Sequence, residues 1–114
     1  MPDQSESTPL TLDVHRRGHL TVVKCRGRLV SGVNNALYVK VSQLIPDSKL
    51  IVLDLTQLSQ MDSMGLGTLV RLYASAKSAG CEFELINLGK QIRELLGVTN
   101  LLSVFPVIGE LGAG

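Results

Sequence analysis

The chain lacks several residue types on which whole classes of function depend. It has no tryptophan and only two tyrosines and two phenylalanines in 114 residues, so aromatic rings on which nucleic-acid bases could stack are scarce. Its 11 lysines and arginines nearly balance 10 aspartates and glutamates, and the formal net charge is +1. We therefore expect no direct binding of nucleic acid and no broad attraction to an anionic membrane.

Metal ligands and hydrophobic targeting segments are scarce as well. Two cysteines and two histidines provide few ligand sets, so we expect no metal and no cofactor. Cys25 and Cys81 lack paired spacing and are interpreted as reduced, small apolar residues. No apolar run approaches the ~20 residues of a membrane span, and the N-terminal MPDQSESTP lacks the hydrophobic segment of a signal peptide. These absences predict a bacterial cytoplasmic protein, not inserted in a membrane, that binds a partner rather than carrying out chemistry.

Apolar residues, by contrast, are well represented. They make up 45% of the chain and charged residues 18%, a composition typical of a globular protein. A chain of 114 residues is long enough for one domain with short tails. We expect a disordered lead at residues 1–9, one domain at 10–108 and a flexible tail at 109–114.

The apolar pattern predicts alternating strands and helices. Two segments with apolar residues at every second position predict a hairpin. A nearly unbroken apolar run at 49–55 predicts a strand that is covered on both faces and lies at the centre of the sheet. The class is therefore α/β, with a mixed sheet of four to five strands and alternating helices packed against it. The predicted strands are 10–15, 20–25, 49–55, 82–88 and 104–107, and the predicted helices are 33–45, 64–79 and 89–96.

The most informative segment runs from Leu53 to Gly67, LDLTQLSQMDSMGLG. We expect a buried strand to leave the sheet here, cross a short loop and enter a helix at Asp62 and Ser63, and this edge of an α/β sheet is where ligands and partners usually bind. Such residues most often only cap a helix, although no Glu or Gln follows to complete a capping box. Gly65 and Gly67 would leave the helix start bare, so that another molecule could approach closely.

Other candidate sites receive plainer interpretations. An enzyme would need a base near Ser63, but no histidine is close to it in sequence, and no G-x-S-x-G elbow or lysine-bearing P-loop is present. We therefore assign no catalytic residue. Asp54 is interpreted as a carboxylate that caps loop amides. A basic cluster in the first turn is interpreted as a solvated hairpin tip; it consists of His15, Arg16, Arg17 and His19.

Helical spacing assigns the faces of the helix after Ser63. Apolar residues three and four apart predict a core face, which consists of Leu66, Leu69, Val70 and Tyr73. Leu72 and Met64 are predicted to be exposed and to extend a partner-binding patch.

The segment Met61–Gly67, MDSMGLG, after the strand IVLDLTQL, resembles the signature of STAS domains and especially of anti-sigma factor antagonists. The resemblance covers residues 10–107. It includes the Gly27-Arg28-Leu29 step, the Ala79-Gly80 helix stop and the C-terminal Leu-Leu-x-Val-Phe segment. Two positions depart from the pattern: Met64 replaces a Ser, Thr or Ala of many members, and Val30 stands where many have an acidic residue.

The resemblance implies a partner switch without enzymatic activity. In that family the serine or threonine after the aspartate is phosphorylated, which corresponds to Ser63. The unphosphorylated protein binds an anti-sigma factor that is also a serine kinase, phosphorylation releases it, and a phosphatase resets the switch. The alternatives are a STAS adaptor subunit of a stress-sensing scaffold or transporter ATPase complex, without a phosphorylation switch, and an enzyme or small-molecule sensor. The expected partner-binding residues are Asp62, Ser63, Met64, Gly65, Gly67, Thr68 and Arg71.

Overall fold

The computed structural model describes residues 10–100 and, as a short strand, residues 107–108. The predicted lead at 1–9, the tail at 109–114 and the first part of the last predicted strand lie outside the described residues. The strands of this part are β1 (Leu10–Arg17), β2 (Leu20–Leu29), β3 (Leu50–Met61), β4 (Glu82–Ile86) and β5 (Val107–Ile108). Its α-helices are α1 (Asn34–Leu44), α2 (Ser63–Ser78) and α3 (Lys90–Val98), and a 3-10 turn (Ile45–Asp47) follows α1.

The described strands form one mixed sheet in the order β1-β2-β3-β4-β5. β1 and β2 pair in antiparallel fashion, and every later pair is parallel. The predicted class, the hairpin and the central position of the third strand are therefore confirmed. The apolar run is central because its side chains are buried on both sides: Ile51 and Leu53 are inaccessible, and Val52 is buried on the opposite face.

The helices pack on one face of the sheet. Each parallel crossover leads to the next strand in the same direction, and right-handed crossovers in one direction bring their helices to one side. The contacts agree, because side chains from all described helices share one apolar cluster with β2, β3 and β4. Val52, which faces the other side, is not part of that cluster. Representative members of the cluster are Val23, Leu37, Leu53, Leu69, Leu85 and Leu96.

The central strand is longer than its sequence pattern predicts. The prediction of a loop after Leu55 is wrong, because β3 continues to Met61 beside the last residues of β2. The β2–β3 register is irregular, and these irregularities allow the second half of β3 to pair with β2 although buried and exposed residues no longer alternate there. Mostly exposed polar residues surround the buried Leu58 in this half, which is why the pattern looks like a loop.

Helix α2 begins and ends close to its predicted limits. It starts at Ser63, ends at Ser78, and is followed by Gly80 with a φ of 77°, the left-handed conformation typical of a helix stop. The prediction that Leu72 is exposed is wrong: its side chain is fully buried in the core, one turn from Leu69 and Ala76. Among residues 10–100, no helix is long and apolar enough to cross a bilayer.

Candidate functional site

Asp62 connects two segments of the chain at the carboxyl end of β3. Its Oδ1 accepts hydrogen bonds from the backbone N–H groups of Met64 and Gly65, each at 3.0 Å, and so caps α2. Its Oδ2 accepts a third, at 2.9 Å, from the N–H of Ser31. The Ser31 bond, and then those from α2, lower the pKa of Asp62 below its usual value. The capping interpretation is therefore confirmed for Asp62, and the carboxylate also binds a second segment.

That second segment is a tight turn between β2 and α1. The N–H of Val33 donates to the carbonyl of Val30 at 3.1 Å, and of the two central residues only Gly32 has a positive φ, 97°. This combination is typical of a type II turn with Ser31 at its second position. Ser31 is not among the contact residues expected from the sequence. Two neighbours of Ser31 are signals for this turn: Gly32 follows it, and Val30 precedes it at a position where many members of the family have an acidic residue.

Gly65 is required by the chain itself. A Cβ atom at Gly65 would lie 2.1 Å from the carbonyl oxygen of Leu29, so only glycine fits where β2 passes the start of α2. Gly67 differs, because a Cβ there meets nothing within 4 Å. The expectation that both glycines leave room for another molecule is therefore wrong for the buried Gly65, and Gly67 alone has the open surroundings.

Side chains of α1 and α2 lock the two helices together beside the turn. Thr68, only 1% exposed, donates to the carbonyl of Met64 at 3.1 Å and accepts from the side-chain amide of Asn34 at 3.0 Å. Thr68 is thus a link beneath the surface and not a surface residue. Farther along, the Arg71 guanidinium lies 4.1 Å from the centroid of the Tyr38 ring, a distance at which a cation–π interaction forms.

The remaining predicted site residues lie at the surface. Ser63 is exposed at the first position of α2, and the large apolar side chain of Met64 beside it is 53% exposed. Arg71 is exposed and Gly67 partly so. We call this surface the α1–α2 face; it consists of Ser31, Tyr38, Ser63, Met64, Gly67 and Arg71.

No histidine lies next to Ser63 among the described residues. His19 lies at the opposite end of the sheet, where its carbonyl accepts from Lys49 and Leu50 at the start of β3. Its neighbours in the hairpin tip are exposed, as predicted. No group of three His, Cys, Asp or Glu residues that could hold a metal occurs within the described part of the chain.

The Asp54 carboxylate accepts hydrogen bonds from nearby residues. Its Oδ1 accepts from the backbone N–H of Thr56 at 3.0 Å, from the Thr56 hydroxyl, and from the side-chain amide of Asn87 at 3.2 Å. Burial raises the pKa of Asp54, but these hydrogen bonds outweigh burial and the net pKa is lowered. The interpretation of Asp54 as a carboxylate that caps loop amides is confirmed only in part: Asp54 binds one backbone N–H, and that group belongs to Thr56 within β3 and not to a loop.

Comparison with known proteins gives one consistent family. The model of the STAS domain family matches residues 11–113. An anti-sigma factor antagonist from Mycobacterium paratuberculosis superposes with a TM-score of 0.77 at 23% identity, covering 86% of this chain and 84% of that one. The anti-sigma factor antagonist SpoIIAA of Bacillus matches at 19% identity in two forms. Its unphosphorylated form superposes with a TM-score of 0.74, covering 90% of this chain and 92% of that one. Its phosphorylated form superposes with a TM-score of 0.69, covering 90% of this chain and 96% of that one. SLC26A9 matches at 16% identity and a TM-score of 0.67 over 79% of this chain, but only 18% of that longer one.

Proposed function

Since the chain belongs to the STAS domain family, we propose that it is an anti-sigma factor antagonist whose binding is controlled by phosphorylation of Ser63. In this proposal the unphosphorylated protein binds an anti-sigma factor that is also a serine kinase, and a phosphatase restores that state. The observation that carries the proposal is the exposed Ser63 at the first position of α2. It directly follows a capping aspartate and adjoins the exposed apolar side chain of Met64.

The local hydrogen bonds explain why a phosphate on Ser63 would release a partner. A phosphate adds about −1.5 to −2 charge, and a helix start would ordinarily favour an anion. Here the N–H groups of Met64 and Gly65 already bind the Asp62 carboxylate. A partner seated on the α1–α2 face would have to bury the phosphate beside this second anion, and a penalty of ~2.7 kcal/mol weakens binding about 100-fold.

In this proposal the protein is a binding module of the bacterial cytoplasm and not an enzyme. The likeness to anti-sigma factor antagonists of similar length supports a protein partner.

Phosphorylation by a purified anti-sigma factor kinase of the source bacterium tests the proposal. With ATP, mass spectrometry should find one phosphate on the wild-type chain and on Ser59→Ala, a control at another exposed serine, and none on Ser63→Ala. The phosphoprotein and Ser63→Glu should keep their melting temperatures within a few degrees but lose the kinase in a pull-down. A phosphoprotein that binds as tightly as the unmodified chain would refute the switch.

The second candidate is an adaptor without a phosphorylation switch, in a stress-sensing scaffold or a transporter ATPase complex. The match to a small part of the much longer SLC26A9 chain favours it, because the same fold occurs there within a larger protein. Co-purification with an ATPase, with Ser63 unmodified in cells, would support the adaptor over the switch.

A further inference from the structure

We propose that Asp62 is a positioning residue: through its bond to Ser31 it holds the β2–α1 turn beside Ser63 in the arrangement that the kinase partner recognises. This inference rests on the proposed function and gives Asp62 a role in addition to capping α2 and placing a negative charge beside Ser63. A helix cap needs one carboxylate oxygen, and Oδ1 performs that task with Met64 and Gly65. Oδ2 is directed instead to Ser31, 31 positions earlier in the chain.

Apart from the Ser31–Asp62 bond, the contacts with α2 lie on either side of the β2–α1 turn and not in the turn itself. The N–H of Asp62 donates to the Leu29 carbonyl at 3.4 Å, a long hydrogen bond, and Gly65 packs closely against that carbonyl. Both contacts precede the turn in β2. On its other side, Asn34 binds Thr68 at 3.0 Å. Between these anchors Ser31 and Gly32 are exposed, and the Asp62 carboxylate is the group observed to join them to α2.

Loss of this bond should therefore change the order of the turn more than the stability of the fold. A binding surface that is correctly arranged only a tenth of the time shows an apparent affinity about tenfold weaker. The Ser63 hydroxyl is untouched, so the transfer step should continue once the partner is bound. The expected kinetic effect is a higher KM for the protein as kinase substrate, with little change in kcat.

Two variants remove the bond from opposite sides. Asp62→Asn keeps an oxygen that can cap α2, but its amide can no longer accept from both α2 and Ser31. Ser31→Pro deletes the donor and preserves the Asp62 charge, and proline is favoured at the second position of a type II turn. Asp54→Asn is the matched control, because it removes a carboxylate that also accepts hydrogen bonds, from the Thr56 backbone N–H and the Asn87 side-chain amide, but does not contact the turn.

The first measurement is independent of any partner. Amide hydrogen exchange by NMR should show the Ser31 N–H exchanging at least tenfold faster in Asp62→Asn than in wild type and Asp54→Asn, with unchanged protection in β3. Equal Ser31 exchange in the variant and wild type would overturn the inference.

The second measurement uses the kinase that phosphorylates the wild-type chain. Asp62→Asn and Ser31→Pro should each raise KM about tenfold, and the double variant should raise it no further, because both substitutions remove the same bond. A double variant whose KM rises by the product of the two effects, or single variants with unchanged KM, would overturn the positioning role and leave the Ser63 switch intact. If no kinase modifies the wild-type chain, the proposed function fails, and the Ser31 exchange rate alone then supports or overturns the link between turn and helix.

Discussion

At the scale of single residues, two glycines of one motif have different physical reasons to be glycine. Gly65 lies where the Leu29 carbonyl passes the start of α2, and a methyl group there would overlap that oxygen. Gly67 lies two residues later in α2, and a methyl group there would meet no other atom within 4 Å. Glycine lowers helix stability relative to alanine by about 1 kcal/mol. At Gly67 this loss of stability is not explained by a close contact, since the described structure has room for a larger side chain there.

We expect opposite effects of alanine at these positions. Gly65→Ala should lower the free energy of unfolding by about 1–3 kcal/mol, the usual cost of overpacking, because backbone has to move. Gly67→Ala should raise it by about 1 kcal/mol. Urea denaturation of both variants measures the difference, and a Gly65→Ala protein as stable as wild type would contradict the close approach to Leu29.

At the scale of elements, the polar link between α1 and α2 fixes one helix against the other. The Thr68 hydroxyl is buried and bonded on both sides, to Met64 within α2 and to Asn34 at the start of α1. The cation–π contact of Arg71 with Tyr38 lies farther along the same pair of helices. The α1–α2 face is therefore held at two points, and its exposed residues keep a defined spacing.

Removal of the Thr68 hydroxyl tests this link. Thr68→Val should reduce the free energy of unfolding by about 1 kcal/mol, since a net hydrogen bond contributes about that much. Thr68→Ser keeps the hydroxyl and serves as control for the altered packing. In an NMR spectrum the Asn34 side-chain amide should shift in Thr68→Val but not in Thr68→Ser; an unmoved resonance in the valine variant would show that the link is absent in solution.

The elements also show which parts of the structure the sequence could predict. The central strand, the hairpin and the Gly80 helix stop follow from local apolar patterns and backbone preferences. The second half of β3 could not be recognised, because its pairing with β2 is irregular and its exposed residues hide the alternation. The Ser31–Asp62 bond joins residues 31 positions apart, and the burial of Thr68 and Leu72 depends on where α1 and the sheet lie. Such features require the assembled fold.

At the scale of the whole molecule, both cysteines are shielded by the folded chain. Cys25 is 1% exposed and Cys81 4%. Burial, with a smaller contribution from the Asp54 charge, raises the pKa of Cys25 to about 12 from an ordinary value of 9.0. The thiol thus stays protonated in the folded protein at pH values where it ionises in the unfolded chain.

This difference predicts a loss of stability in alkaline solution. Above about pH 9 the unfolded chain releases the Cys25 proton while the folded chain retains it, so the free energy of unfolding falls as pH rises towards 12, by up to about 1.4 kcal/mol per pH unit. Cys25→Val removes this contribution. Urea denaturation between pH 8 and 10.5 should give a steeper decline for wild type than for the variant; parallel curves would contradict the raised pKa.

The sequential strand order has a consequence for the protein during its synthesis. Each described strand pairs with the strand that comes next in the chain, and the residues of the α1–α2 face with their supporting contacts lie between Leu29 and Arg71. A ribosome adds residues from the N-terminus onward at about 5–20 per second, so β1, the turn at Ser31 and β3 are all synthesised before β4. The contacts of the surface around Ser63 therefore join only segments that are synthesised before β4, and none of these contacts needs a residue of β4.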